Sequence, residues 1–308
     1  MHAPCRLPFT DFTQTGFISY PDGNFIPDPS AALVPDPARP NISATQASPT
    51  LYGTGGSGGE TYDWARSRWL PIGRELVSPS GSQYTYTELI PNPASQGIGG
   101  PPPLGTRVHL VDAASGTDTV VYTTTAVFTA LAFRSEGIYL TQPASLSDTV
   151  NAFYLWLLDL TSRSARKLMA GKSAGPAVFD VIADGALWMT ATDQTNPKGP
   201  VKLLRIALGD GSQSVWFEQS TTFAAFLGLD LQNHPVIATF SGDNDAGQTV
   251  LMPSPNTFRP IADEGFQTMV ADSGGLWFTG SGVFLYVAGG PPQKISPKVG
   301  GWLLGDCR

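Results

Sequence analysis

The feature that most constrains this chain is a unit of four short apolar runs parted by tight-turn residues, seen complete between Met269 and Ile295. Val270-Ala271 leads into Asp272-Ser273-Gly274-Gly275, Leu276 to Thr279 returns, and Gly280-Ser281-Gly282 interrupts. Val283 to Ala288 then runs again, Gly289-Gly290-Pro291-Pro292 turns, and Gln293 to Ile295 closes. Short apolar runs bounded by Gly, Asp, Ser and Pro are strands joined by hairpins, because these residues supply the backbone angles a reversal requires. The spacing predicts a four-stranded antiparallel sheet.

The same unit recurs along the chain. A first hairpin is legible six times: FISYPDGNFIPD from Phe17, LVSPSGSQYTYT from Leu76, LAFRSEGIYLT from Leu131, DVIADGALWMT from Asp180, GLDLQNHPVIAT from Gly228 and TMVADSGGLWFT from Thr268. Each is followed by a second hairpin, beginning near Glu60, Arg107, Ala152, Val201, Thr249 and Gly282. Stretches such as Thr61 to Arg74 and Phe153 to Met169 are long enough for a helix. Their apolar residues run continuously or alternate rather than recurring three and four apart, so strands are preferred.

A four-stranded sheet with two apolar faces is stable only when neighbours pack on both sides, and sheets repeated at this period describe a propeller. The expectation is an all-β, six-bladed β-propeller of four-stranded antiparallel blades, with seven blades as the alternative count. It is read as one domain over 1–308. The blades fall roughly at 16–72, 74–124, 126–169, 176–218, 221–263 and 265–296, and the termini join near Cys5 and Cys307.

Composition agrees with this reading and narrows the partners. With 34 Gly, 27 Pro and 41% hydrophobic residues the chain can turn often and still bury a core, and 14% charged residues is too few for a disordered chain. The net charge is −7, from 18 basic and 25 acidic residues, and Arg163, Arg166 and Lys167 form the one short basic run. A nucleic-acid binder needs a basic stripe to neutralise phosphates, so nucleic acid is excluded as the main partner. No apolar stretch approaches the length of a membrane span, and Met1-His2-Ala3-Pro4 is not a signal peptide. If the protein is exported, its targeting segment precedes this numbering.

Cys5 and Cys307 are the two cysteines. In a fold whose ends meet they would clasp the chain, a crosslink that the chain-entropy model puts at about 5–6 kcal/mol as an upper figure. The alternative is two independent thiols. The clasp implies an oxidising, extracytoplasmic compartment: secreted, periplasmic or cell-surface. His-Ala-Pro before Cys5 is not a lipobox, which disfavours a lipid anchor there.

LVSPSGSQYTYTE followed by RVHLVDAASGTDTVVYT resembles the repeat of TolB-like and WD40-like propellers: a Ser-Pro-Asp-Gly-type turn, an apolar strand, then a strand ending in Asp, a Gly turn and a last strand. ADSGGLWFTG is similar, more distantly, to the repeat of virginiamycin-lyase-like propellers. The resemblance spans about residues 16 to 296. It implies a propeller fold and carries no reaction with it, since Ser80 stands where the repeat has Asp and Gly280 where lyase-like repeats have Glu.

Possible chemical motifs are few. Gly55-Gly56-Ser57-Gly58-Gly59 matches G-x-S-x-G, but it sits in a glycine-rich loop without the strand and helix of a nucleophile elbow. Gly171-Lys172-Ser173 has the end of a phosphate loop, while Arg166 occupies the place of its first glycine. Asp243 and Asp245, in Asp243-Asn244-Asp245-Ala246-Gly247, form a candidate calcium pair; the further acids of a complete loop are missing, so a polar turn with no cofactor is the main reading. His2, His109 and His234 are isolated in sequence. Trp64, Trp69, Trp156, Trp188, Trp216 and Trp277 fall mostly inside repeat strands, where they would pack between blades.

Two connections exceed a hairpin turn: the insertion Pro27 to Gly59 and the loop Pro91 to Gly105. Long loops on a rigid scaffold commonly carry binding. The sequence therefore points first to a monomeric extracytoplasmic binding module for a protein, peptide or glycan at one propeller face, with no catalytic constellation. The alternative is a propeller enzyme, a lyase or glycan-cleaving hydrolase, with carboxylates at the mouth of the channel. Its candidate acids are Glu75, Glu88, Glu136, Asp180, Asp230 and Glu264.

Overall fold

The computed structural model describes residues 3–11, 13–31, 35–36, 39–43, 60–94, 101–144, 152–172, 181–191, 199–220, 223–241 and 246–308. Their regular structure is strand, apart from short 3-10 turns such as Arg74–Leu76. β1 (Cys5–Thr10), β2 (Thr15–Tyr20) and β3 (Phe25–Pro27) form a meander. β4 (Pro35–Asp36) pairs with β5 (Arg39–Ser43), and β6 (Thr61–Asp63) with β7 (Arg68–Leu70), as separate two-stranded sheets. β8 (Gln83–Ile90), β9 (Gly105–Asp112) and β10 (Asp118–Thr124) make a three-stranded sheet.

Four sheets of four strands follow, each in simple sequence order. The first holds β11 (Thr129–Arg134), β12 (Gly137–Pro143), β13 (Ala152–Asp159) and β14 (Ser164–Lys172). The next holds β15 (Val181–Ala183), β16 (Ala186–Ala191), β17 (Val201–Ala207) and β18 (Gln213–Gln219). β19 (Phe223–Leu229), β20 (Pro235–Ser241), β21 (Ala246–Ser254) and β22 (Thr257–Ala262) come third. β23 (Thr268–Asp272), β24 (Gly275–Thr279), β25 (Val283–Tyr286) and β26 (Gln293–Ser296) come last. β27 (Trp302–Leu303) then pairs beside β1, so the first sheet reads β27-β1-β2-β3.

Burial across the sheets explains their sequences. The second strands contain the continuous runs Ile138-Tyr139-Leu140, Leu187-Trp188-Met189, Val236-Ile237-Ala238 and Leu276-Trp277-Phe278, and all twelve residues are buried. A strand covered on both faces shows an unbroken apolar run instead of alternation. Fourth strands are different: β18 and β22 each bury one residue, and Pro260 in β22 withholds an N–H from the edge. Proline and charge on an edge strand discourage pairing with another chain.

The turns repeat one device. Asp112 and Asp159 end β9 and β13, and each accepts backbone N–H groups two and three residues on, from Ala114 and Ser115 and from Thr161 and Ser162. This Asx geometry substitutes a side-chain acceptor for a missing backbone partner at the reversal.

The chain divides into two compact units, residues 1–32 with 179–308 and residues 33–178. In the second, Leu76, Tyr84, Val108, Phe128, Ile138 and Leu158 belong to one core. In the first, aromatic rings join neighbouring sheets: Trp188 stacks on Phe226 with centroids 5.7 Å apart, and Tyr20 meets Trp277 edge-on at 5.6 Å. The tryptophans at these positions are packing residues, as their place in the repeat strands predicts.

Two sheets differ from the sequence expectation. The hairpin at Thr61–Leu70 does not join Phe17–Pro27 in one four-stranded blade over 16–72. Cys5–Thr10 pairs residue for residue with Thr15–Tyr20 and buries Leu7 and Phe9, so the chain's first run and its last strand take the two places. In the stretch 74–124 the expected first strand is reduced to a single bridge from Val77 to Tyr84, because Arg74–Leu76 coils into a 3-10 turn that buries Leu76.

Candidate functional site

The densest polar cluster among the described residues lies on one face of the β8–β10 sheet. Tyr86 and His109 are direct cross-strand partners, as are Glu88 and Arg107 one step towards the 91–104 connection. Cross-strand partners share a face, so alternation along β8 and β9 lines up Tyr86, Glu88, Arg107 and His109. Asp118, at the start of β10, reaches the same face opposite Val111.

His109 is held on three sides. Its Nδ1 lies 2.9 Å from Asp118 Oδ1, its Nε2 lies 3.3 Å from Glu88 Oε2, and the Tyr86 ring stacks on it at 4.3 Å. The Tyr86 hydroxyl donates to Asp118 Oδ2 at 2.6 Å, and Arg107 donates to Glu88 Oε2 at 2.9 Å. The His109 side chain is 10% exposed, whereas those of Glu88, Arg107 and Asp118 are 37%, 41% and 41% exposed. The imidazole is the covered centre of a row whose charged ends reach water.

The charges of this row act on one another. Hydrogen bonding from Arg107 holds the Glu88 carboxyl below its ordinary range, outweighing partial burial, with His109 helping. Burial, the hydrogen bond to Asp118 and the nearby carboxylates push the Tyr86 phenol well above its ordinary value, so it remains a donor throughout the physiological range. Chemically the row offers a fixed guanidinium and carboxylates for recognition. Its imidazole has both nitrogens engaged.

The base of the 91–104 connection adjoins this row. The Leu104 N–H donates to Ile90 O at 2.9 Å, and Asn92 donates its side-chain amide to Pro102 O at 3.1 Å and accepts from the Ala94 N–H. Leu104 is left 50% exposed. An apolar side chain on a pinned loop base, beside a charged row, is the character of a contact surface.

The other candidate acids have local partners. Glu75 pairs with Arg134, whose charge also lowers the Glu136 carboxyl; that group is held down chiefly by the Ser135 hydroxyl, against burial, and also by Tyr139. Asp230 accepts from the Gln232 and His234 amides and pairs with His234 Nδ1 at 3.0 Å, closing its own turn. Glu264 accepts from the Ser281 amide and hydroxyl. The structure thus brings Glu75 to Arg134, Glu136 to Ser135 and Tyr139, and Glu88 to His109. Asp118, which the sequence reading passed over, joins His109 because the β9–β10 hairpin folds it back across the sheet.

Asp180, Asp243, Asp245 and the 55–59 glycine run lie outside the described residues, and so does Ser173. No group of three metal-ligating side chains occurs among the described residues. Cys5 and Cys307 form a disulfide, with Cα atoms 5.5 Å apart. No helix among the described residues is long and apolar enough to cross a membrane.

No family model matches the chain, and no curated protein matches it. Among solved structures, an acylaminoacyl peptidase of Pyrococcus horikoshii is similar over 77% of this chain and 41% of its own, at 10% identity and a TM-score of 0.50. The fold is that of a β-propeller. TolB from Acinetobacter baumannii is similar over 77% of the chain and 62% of its own length, at 10% identity and TM-score 0.43. Oligogalacturonate lyase in complex with manganese is similar over 76% and 70%, at 12% identity and TM-score 0.48. The propeller chain therefore spans less than two thirds of the length of the peptidase and of TolB. These likenesses are of fold.

Proposed function

We propose that the protein is an extracytoplasmic propeller that binds a protein, peptide or glycan, with the six sheets of three or four strands as its blades. The observation that carries this reading is the charged row of Arg107, Glu88 and Asp118 around His109, leading to the pinned base of the 91–104 connection with Leu104 exposed. The connections β8–β9, β12–β13 and β16–β17, of residues 91–104, 144–151 and 192–200, are long in sequence. The first-to-second turns at 135–136 and 184–185 are only two residues. The extracytoplasmic placement rests on the Cys5–Cys307 disulfide.

The test is binding to a glycan array and a displayed peptide library, followed by titration of the hits. Replacing 91–104 by Asn-Gly, and separately Leu104→Ala with Arg107→Ala, is expected to weaken the hits at least tenfold without lowering Tm by more than a few degrees. Hits that bind these variants unchanged would remove the 91–104 end as the surface.

A further inference from the structure

We propose that the outer edge of β10 is a docking surface for a second copy of this chain, the two β10 strands pairing antiparallel about a two-fold axis. The last strands of the five four-stranded sheets are each guarded. β14 exposes Arg166 and Lys167, β18 Glu218, β22 Arg259 beside Pro260, and β26 Lys294, while β3 is three residues long and ends in Pro27. Charge and proline on an edge strand discourage the addition of another strand. Thr119-Val120-Val121-Tyr122-Thr123-Thr124 has neither, and every residue in it favours extended backbone.

This edge is also open. Thr119 and Thr123 are exposed, and Val120 is 41% exposed. Among the described residues, Thr119 to Thr123 make no hydrogen bond outside the ladder with β9. In β18, by contrast, the Trp216 carbonyl already accepts the Asn256 N–H from the turn between β21 and β22. An unoccupied row of backbone donors and acceptors is a template for one more strand.

The faces of the strand select a copy of itself. Val120 lies opposite His109 and Thr123 opposite Arg107, on one face of the sheet; Thr119 lies opposite Leu110 and Thr124 opposite Thr106, on the other. Residues three apart in a regular strand point to opposite faces, but the bulge between Val120 and Tyr122 brings Val120 and Thr123 to the same one. An antiparallel copy centred between Val121 and Tyr122 therefore sets Val120 against Thr123, Thr119 against Thr124 and Val121 against Tyr122, with their faces matched. Thr–Thr and aromatic–β-branched neighbours stabilise such a ladder, and the two Asp118 carboxylates fall at opposite ends of the paired segment, where they do not oppose each other. A two-fold axis closes the contact, so association stops at two chains.

Two paired strands of this length bury less than the roughly 1,200 Å² at which stable interfaces begin, so a Kd on the order of 100 µM is expected. Sedimentation equilibrium from about 10 µM to about 1 mM tests it: the weight-average mass should rise from that of one chain towards that of two and no further. Val120→Lys with Thr123→Lys sets like charges opposite each other on both sides of the axis and should weaken association at least about tenfold. Val120→Lys with Thr123→Glu sets unlike charges there and should return association to within about threefold of the unmodified protein. Both positions are exposed, so each variant should keep its Tm. The monomer expected from the sequence would instead hold the mass of one chain at every concentration, and that result would overturn the proposal. So would a mass passing two chains, a Lys–Lys variant associating as well as the unmodified protein, or a Lys–Glu variant no stronger than the Lys–Lys one.

Discussion

The Asp272 carboxylate accepts the indole N–H of Trp277 at 2.8 Å. Its Oδ2 also accepts the backbone N–H of Cys307 at 3.0 Å, and its Oδ1 accepts the Gly274 N–H. One buried acid therefore ties the β23–β24 hairpin to the chain segment that carries the disulfide. Asp272→Ala would leave two buried donors without this acceptor, and the expected loss is about 2–4 kcal/mol, read as a lower urea midpoint at unchanged slope. Asp272→Asn keeps one acceptor oxygen and should recover part of it. A midpoint unchanged by Asp272→Ala would show that the carboxylate does not hold the segment.

Trp277 and Trp188 allow the hydrogen bond to be separated from the ring. Both are almost wholly buried, at 0% and 1% exposure, on the second strands of their sheets. The Trp277 indole N–H reaches Asp272, whereas the Trp188 Nε1 has no partner. Changing either to Phe removes similar apolar volume. Trp277→Phe should cost about 1–2 kcal/mol more than Trp188→Phe, since it also strips a donor from a buried carboxylate while Trp188→Phe removes an unpaired one. Parallel urea curves measure the difference, and equal losses would contradict it.

The acid limb of stability should be steep. Burial pushes the Asp11 carboxyl up, but the hydrogen bonds from Lys298, the Thr13 hydroxyl and the Gln14 and Thr13 amides together hold it well below the usual carboxylate range. The Ser115, Ser162 and Ser212 amides do the same, as the leading cause, for Asp112, Asp159 and Asp210. A carboxyl with a depressed folded pKa contributes stability that is complete above its unfolded value, about 4, and is lost as pH falls through the folded value. Urea midpoints should therefore change little on account of these groups between pH 7 and 5 and drop below about pH 4. Asp11→Asn should lower the midpoint at pH 7 and shrink the drop below pH 4; an undiminished drop would show that Asp11 does not titrate in that limb.

Sheet formation was legible because the turns are local. Gly185 and Gly275, with the Asp residues that end strands, announce their reversals within a few residues, and the continuous runs of the second strands announce burial on both faces. The first sheet was misread because its composition is not local: β27 comes from the far end of the chain, and no periodicity around Phe17 tells that Trp302 and Leu303 belong beside Thr10 and Phe9. The His109 row was half legible. Strand alternation places Glu88 and His109 on one face once the β8–β9 register is known, but that register crosses the 91–104 connection and is not set by a short turn. Asp118 reaches Nδ1 only through the β9–β10 pairing, a contact between residues that no motif joins.

The strongest single crosslink is covalent, and its removal gives the largest expected effect. Cys5 and Cys307 are separated by 302 residues, so in the unfolded chain the bond closes nearly the longest loop this sequence allows. The chain-entropy model assigns such a loop about 5–6 kcal/mol, while native contacts that persist without the bond leave the folded state little changed. Those contacts are present: β1 remains paired with β2 and β27, Arg6 and Arg308 exchange backbone hydrogen bonds, and Leu304 N–H donates to Pro8 O. Cys5→Ser with Cys307→Ser, or reduction by dithiothreitol, should lower the urea midpoint sharply while leaving the far-ultraviolet spectrum of the native state intact. A loss under about 1 kcal/mol would mean that the unfolded chain already keeps its ends together.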